Sequence, residues 1–170
     1  MQIRQLSVDD GIEIYEMLQR IGKSENEFHN EANGMTFDEF KSWLKLMDDW
    51  SKGENLPEGY VREYKYWLVD DDGYYCGYGK IREKLTEKSR EFGGNLGFAV
   101  DPLYRGKGYG NSFFKLLLDK AVEMNLKEII STVEKFNYPS KKVHEFCGGK
   151  LYKETDKRWY FSFNDEVNNA

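Results

Sequence analysis

The segment from Gly93 to Leu151 constrains the fold more than any other part of the chain. A short apolar run, Asn95 to Val100, reads as a strand. Asp101-Pro102 stops it, because the proline ring pushes residue 101 out of the helical region. The loop Arg105-Gly106-Lys107-Gly108-Tyr109-Gly110 follows, and then a helical repeat. In that repeat Phe113, Phe114, Leu117, Leu118, Ala121 and Val122 form an apolar face opposite Lys115, Asp119 and Glu123. Ile129 to Val133 reads as a buried strand. Strand, crossover helix and strand predict a parallel pair joined by a right-handed connection.

Three glycines between a strand and a helix let the backbone turn tightly and approach a ligand closely. The helix start adds unpaired N–H groups and the positive end of a dipole, a combination suited to phosphate or pyrophosphate. Arg105 and Lys107 supply local cations in a chain of net charge -5, which as a whole is not an electrostatic nucleic-acid binder. A nucleotide P-loop needs Gly-Lys-Ser/Thr, but Gly108 follows Lys107. A dinucleotide fingerprint needs a third glycine where Asn111 stands. A tight turn with no ligand is the alternative that the loop alone leaves open.

The rest of the chain reads as helices followed by hairpins. Met1 to Leu6 is a candidate strand, and Ile12, Ile14, Tyr15, Leu18 and Ile21 recur at helical spacing. Thr36 and Glu39 form a capping-box pattern ahead of Phe40, Trp43, Leu44 and Met47. Tyr64 to Val69 and Tyr74 to Arg82 predict a hairpin around Asp70 to Gly73, and Leu85 to Gly94 a loop. Asn137 and Pro139 open a further helix with Val143, Phe146 and Cys147 facing inward, closed by Gly148-Gly149. Lys150 to Lys153 and Trp159 to Phe163 predict a last hairpin, whose terminal strand offers an edge for a homodimer. Cys76 and Cys147 imply neither a metal site nor a disulfide framework. No apolar run is long enough for a membrane span, no signal pattern opens the chain, and the cytoplasm is the expected location.

Two motifs carry a family resemblance. Arg105-x-x-Gly108-x-Gly110, after the strand ending in Val100-Asp101-Pro102, resembles the acetyl-CoA signature of the GNAT superfamily. Asn137-x-x-Ser140-x-x-Val143-His144-Glu145-x-x-Gly148 is similar to that family's second signature, at the expected distance. The resemblance implies one α/β (α+β type) domain over residues 1–170, with a mixed central sheet, a splayed parallel strand pair and flanking helices. It implies an N-acetyltransferase that uses acetyl-CoA, without a metal, to acetylate a primary amine by direct attack. Phe98, Ala99 and Val100 would bond the pantetheine arm through their backbone. The amides of Gly106, Lys107, Gly108, Tyr109, Gly110 and Asn111, with Arg105, would hold the pyrophosphate, and Asn137 and Ser140 would flank the thiol end.

His144 stands where the family often has a tyrosine that protonates the departing thiolate, and Tyr138 and Tyr152 are nearby substitutes. Glu134, after the second strand of the pair, is the candidate base, acting directly or through water. The expected acceptor is a small-molecule or peptide amine, with an amino-terminal group among the candidates. The acidic residues of the first third, Glu25, Glu27 and Glu31 among them, favour a cationic acceptor. A catalytically silent acyl-CoA sensor on the same fold is the competing reading.

Overall fold

Two antiparallel sheets meet at one corner of the molecule, a computed structural model that describes residues 1–164. The last six residues of the domain expected over 1–170 lie outside the described residues. The first sheet contains β1 (Gln2–Gln5), β4 (Glu63–Val69), β5 (Tyr75–Arg82) and β6 (Leu96–Val100), in the order β1-β4-β5-β6. The second contains β7 (Ile130–Glu134), β8 (Lys150–Glu154) and β9 (Arg158–Ser162), in the order β7-β9-β8. Helices α1 (Ile12–Arg20), α2 (Phe37–Ser51), α3 (Glu87–Glu91), α4 (Tyr109–Glu123) and α5 (Tyr138–Phe146) surround them.

The first sheet is buried on both faces. On one side Trp67, Tyr78 and Ala99 pack with Ile14, Leu18, Phe40 and Leu44 of α1 and α2. On the other, Leu68, Cys76, Ile81 and Leu96 pack with Phe113, Phe114 and Leu117 of α4. Gly77 and Gly79 interrupt the aromatic pattern of β5 because α4 lies directly over them. A Cβ at either would stand 2.8 Å from the side chain of Phe113 or Leu117. The Thr36 capping box forms as predicted, with Glu39 N–H on Thr36 Oγ1 at 3.2 Å and Thr36 N–H on the Glu39 carboxylate at 2.7 Å.

The strand pair expected to splay is β6 and β7, which share no ladder. They are pinned at one end. Asn95 N–H donates to the Ile130 carbonyl at 2.8 Å, Ile130 N–H to Asn95 Oδ1 at 3.0 Å, and Gly93 N–H to Thr132 Oγ1 at 2.8 Å. Gly94 at this root has φ +72°, and a Cβ there would fall 2.2 Å from the Ile130 carbonyl oxygen. Beyond the root, Phe98 turns to Phe113, Phe114 and His144, and the strands part.

Other expectations are corrected. Strand β9 lies between β7 and β8, so it offers no free edge for a dimer. Val122 and Phe146 are exposed, and His144 takes the inward position on α5. The expected loop from Leu85 contains α3, capped by Thr86 and Ser89. A two-residue hairpin, β2 (Ser24–Glu25) and β3 (Phe28–His29), stands between α1 and α2. Among the described residues no helix is long and apolar enough to cross a membrane.

Candidate active site

The parting of β6 from β7 opens a cleft of about 820 Å³. Backbone alternation decides which groups face it. Asp101 N–H reaches the Cys76 carbonyl and Arg82 N–H the Asn95 carbonyl, each at 2.8 Å, so the Asn95 carbonyl and the Asp101 N–H turn toward β5. In an antiparallel ladder bonded and non-bonded pairs alternate, so Gly97 and Ala99 also face β5. Leu96, Phe98 and Val100 therefore present their N–H and C=O groups to the gap. Two contacts agree with this: the Leu96 carbonyl lies 3.2 Å from Ser131 Oγ, and the Val100 carbonyl accepts from Arg105 Nε at 2.9 Å. The expectation of backbone binding along Phe98, Ala99 and Val100 is thereby narrowed. Phe98 and Val100 point the right way, and Ala99 belongs to the β5 ladder.

The glycine loop closes one end. Gly106 and Gly108 hold φ of +75° and +81°, with open space where a Cβ would stand. Gly108 is the N-cap of α4 and has no side chain to cap it, so the first-turn amides of Tyr109, Gly110 and Asn111 are presented at the cleft. Gly110 brings α4 close to its neighbours, since a Cβ there would meet Val143 and Phe98 at 3.5 and 3.6 Å. Arg105 spans the mouth and pairs with Glu25. The Lys107 side chain does not line the cleft, and its Nζ turns back to the Leu103 carbonyl at 3.3 Å.

Helix α5 forms the facing wall. The Asn137 carbonyl oxygen caps it by accepting from Ser140 N–H at 3.3 Å. His144 is 2% exposed and surrounded by Phe98, Phe114, Phe161 and Phe163. Its Nδ1 lies 2.7 Å from the Ser140 carbonyl, which can only accept, so the ring proton sits on Nδ1. Nε2 then accepts from Ser131 Oγ at 2.8 Å. Burial pulls the imidazole down to about 4, so it is neutral at pH 7 and has no proton to give from Nε2. Tyr138 and Tyr152 lie outside the cleft, edge-on to Trp159 and Tyr160 respectively.

Glu134 ends β7 opposite Arg158 of β9, near Glu27 of the β2–β3 turn, and is not itself among the residues that line the cleft. Glu27 also pairs with Arg158 and lines the cleft. Burial first, then the Glu27 carboxylate, raises the Glu134 carboxyl above its ordinary range. Phe28, Lys80, Arg82 and Phe92 complete this end.

A model of the GNAT acetyltransferase domain matches residues 1–150. The chain belongs to the GNAT acetyltransferase family. Solved structures show the same fold. A Vibrio cholerae spermidine N-acetyltransferase SpeG chimera with hSSAT aligns at TM-score 0.64 and 16% identity, over 99% of this chain and 98% of that one. A ribosomal-protein-S5-alanine acetyltransferase from Vibrio fischeri aligns at TM-score 0.64 and 20% identity, over 95% and 91%. Campylobacter jejuni N-acetyltransferase PseH, in complex with acetyl coenzyme A, aligns at TM-score 0.63 and 13% identity, over 95% and 96%. A comparison with curated proteins gave no match.

The features of this GNAT domain fit acetyl-CoA. Its β6 edge is free at Phe98, and its helix dipole and amides open at Gly108 beside space that no side chain fills. Sequence reasoning missed Ser131, Lys80 and Arg82. Each looks like an ordinary polar position on a strand, and only the fold brings it to the cleft. The acidic residues read as a lip are largely neutralised: Glu25 by Arg105, Glu27 by Arg158, Glu31 by Lys80, and Asp10 by Arg4. Of the aromatic residues near them, Phe28 lines the cleft, whereas Trp43 and Trp67 belong to the core.

Proposed function

We propose that the protein transfers an acetyl group from acetyl-CoA to a primary amine by direct attack, within one domain and one cleft. The observation that carries this reading is the free backbone edge at Phe98, aligned with a glycine loop that opens a helix start to the same cleft. Bound acetyl-CoA supplies the acetyl group as a thioester. Phe98 and Val100 hold the pantetheine arm as an added strand would be held, and the Phe98 N–H is the donor nearest to developing negative charge on the carbonyl oxygen. The amides from Gly106 to Asn111 hold the pyrophosphate, and Arg105 leaves Glu25 to join them. Asn137 and Ser140 shape the thiol end.

In this reading Glu134, paired with Glu27, takes the proton that an alkylammonium must lose before it attacks. His144 is a positioning residue that holds Ser131 and the end of β7. The proton for the departing thiolate comes from water or from the acceptor itself. The absence of an imidazolium acid gives the sensor reading its one support. Acetyl-CoA binding by calorimetry, followed by thiol release with an amine panel, tests both. One site per chain with thiol release supports the enzyme. Tight binding without release for any amine supports the sensor, and no binding removes the common basis of both.

A further inference from the structure

One cluster at the acceptor end of the cleft holds more positive charge than the two carboxylates it pairs with offset. Lys65 and Lys80 are 4% and 5% exposed, and with Arg82 they set three cations against Glu31 and Glu63. All four carboxylate oxygens are already used. Glu63 takes Lys65 at 2.5 Å and Arg82 Nε at 3.0 Å, while Glu31 takes Lys80 at 2.6 Å and the Tyr78 hydroxyl at 2.8 Å. Arg82 also donates from Nη1 to the Gly94 carbonyl at 2.9 Å. Its Nη2 has no acceptor among the described residues, and its side chain lines the cleft. Burial, and then the neighbouring Lys65, pull the Lys80 ammonium below its ordinary range, the response of a cation short of counter-charge. Nearby stands a pole of opposite sign, where Glu27 pairs with Arg158 and Glu134 is the ladder partner of Arg158 across β7 and β9.

We infer that the acceptor is an amine that carries a carboxylate, of amino-acid type, with the carboxylate held by Arg82 beside Lys80 and the amine turned toward Glu27 and Glu134. This rests on the acetyl-transfer reading above. The planar guanidinium presents free N–H groups to a planar anion, and one unoffset charge matches a carboxylate better than a phosphate dianion. The bookkeeping of the step closes: the N–C bond forms, the C–S bond breaks, the ammonium loses two protons, the thiolate gains one, and one proton is released.

The test offers amino acids in matched sets: each with its carboxamide, with the amine left by removing its carboxyl group, and, for an anion of another kind, with phosphoethanolamine. The carboxamide has the less basic amine, so amine basicity cannot produce a preference for the acid. We expect the carboxylate member to show kcat/KM at least about tenfold higher. Arg82→Gln brings the ratio near one through KM, while acetyl-CoA affinity is unchanged, and Arg82→Lys retains part of the preference. Equal or better turnover of carboxamides, decarboxylated amines or phosphoethanolamine overturns the inference, and so does a ratio unmoved by Arg82→Gln. Acetyl-CoA binding with no carboxylated amine consumed also overturns it. Failure to bind acetyl-CoA at all defeats the acetyl-transfer reading itself, a separate result.

Discussion

The glycine-loop end of the cleft is made of main chain, whereas the acceptor end is made of side chains. At the first end Phe98, Val100 and the start of α4 offer amides and carbonyls, and the glycines matter by keeping side chains out. At the second, Glu27 comes from the β2–β3 turn, Lys80 and Arg82 from β5 and Glu134 from β7, and the first three are anchored by ion pairs. A backbone site can hold the same ligand through many changes of sequence. A side-chain site changes its ligand with one substitution. The family resemblance therefore reads the donor and is silent on the acceptor.

The sharpest way to break this contrast is Gly108→Glu. Its φ of +81° strains any side chain, and a carboxylate there would sit at the anion-binding helix start. Acetyl-CoA affinity should fall by about 100-fold or more in a folded variant, measured by calorimetry with circular dichroism as the check. Normal affinity would remove the loop from the site. Next is the root where the strands part. Gly94→Ala places a Cβ against the Ile130 carbonyl, and unfolding in urea should show a loss of about 3 kcal/mol or more. An unchanged midpoint would mean that β6 and β7 are not pinned there.

His144 gives a pH signature of comparable size. Its folded pKa lies below the unfolded value, so the unfolded chain binds the extra proton between about pH 6.5 and 4. Its contribution to stability is complete above pH 6.5 and is lost as pH falls toward 4, by up to about 3 kcal/mol. His144→Leu should flatten that part of the stability profile. Activity between pH 6 and 8 should carry no limb from His144, and a limb that vanishes in the variant would restore it as the acid. The smallest effect is expected for Glu134→Gln. The carboxylate must be ionised to act as base, so activity falls as pH drops through its raised pKa. The variant should lose that limb and about tenfold in kcat/KM at pH 7, with acetyl-CoA affinity intact.

What the sequence made legible follows the same division. The Thr36 capping box, the arrest at Asp101-Pro102 and the glycine loop are local patterns whose meaning needs no knowledge of distant residues, and each forms as the pattern requires. The two-residue strands β2 and β3 escaped because their turn relies on Asn26 and Glu27 in left-handed backbone, with no glycine to mark it. The last strand read as an edge because order along the chain does not give order in a sheet. Lys65 and Lys80 alternate with apolar neighbours as solvent-facing residues would, yet both are buried, because β2, β3 and Glu31 fold over that face. The position of His144 on its helix was legible, but its protonation was not, since four phenylalanines from three other parts of the chain set it.

The most direct test of the account is a calorimetric titration of the intact chain with acetyl-CoA at low and moderate salt. Saturable binding at one site per chain, weakening as salt rises, is the predicted result. No saturable binding would contradict it, leaving the free edge at Phe98 and the open loop at Gly108 without a ligand.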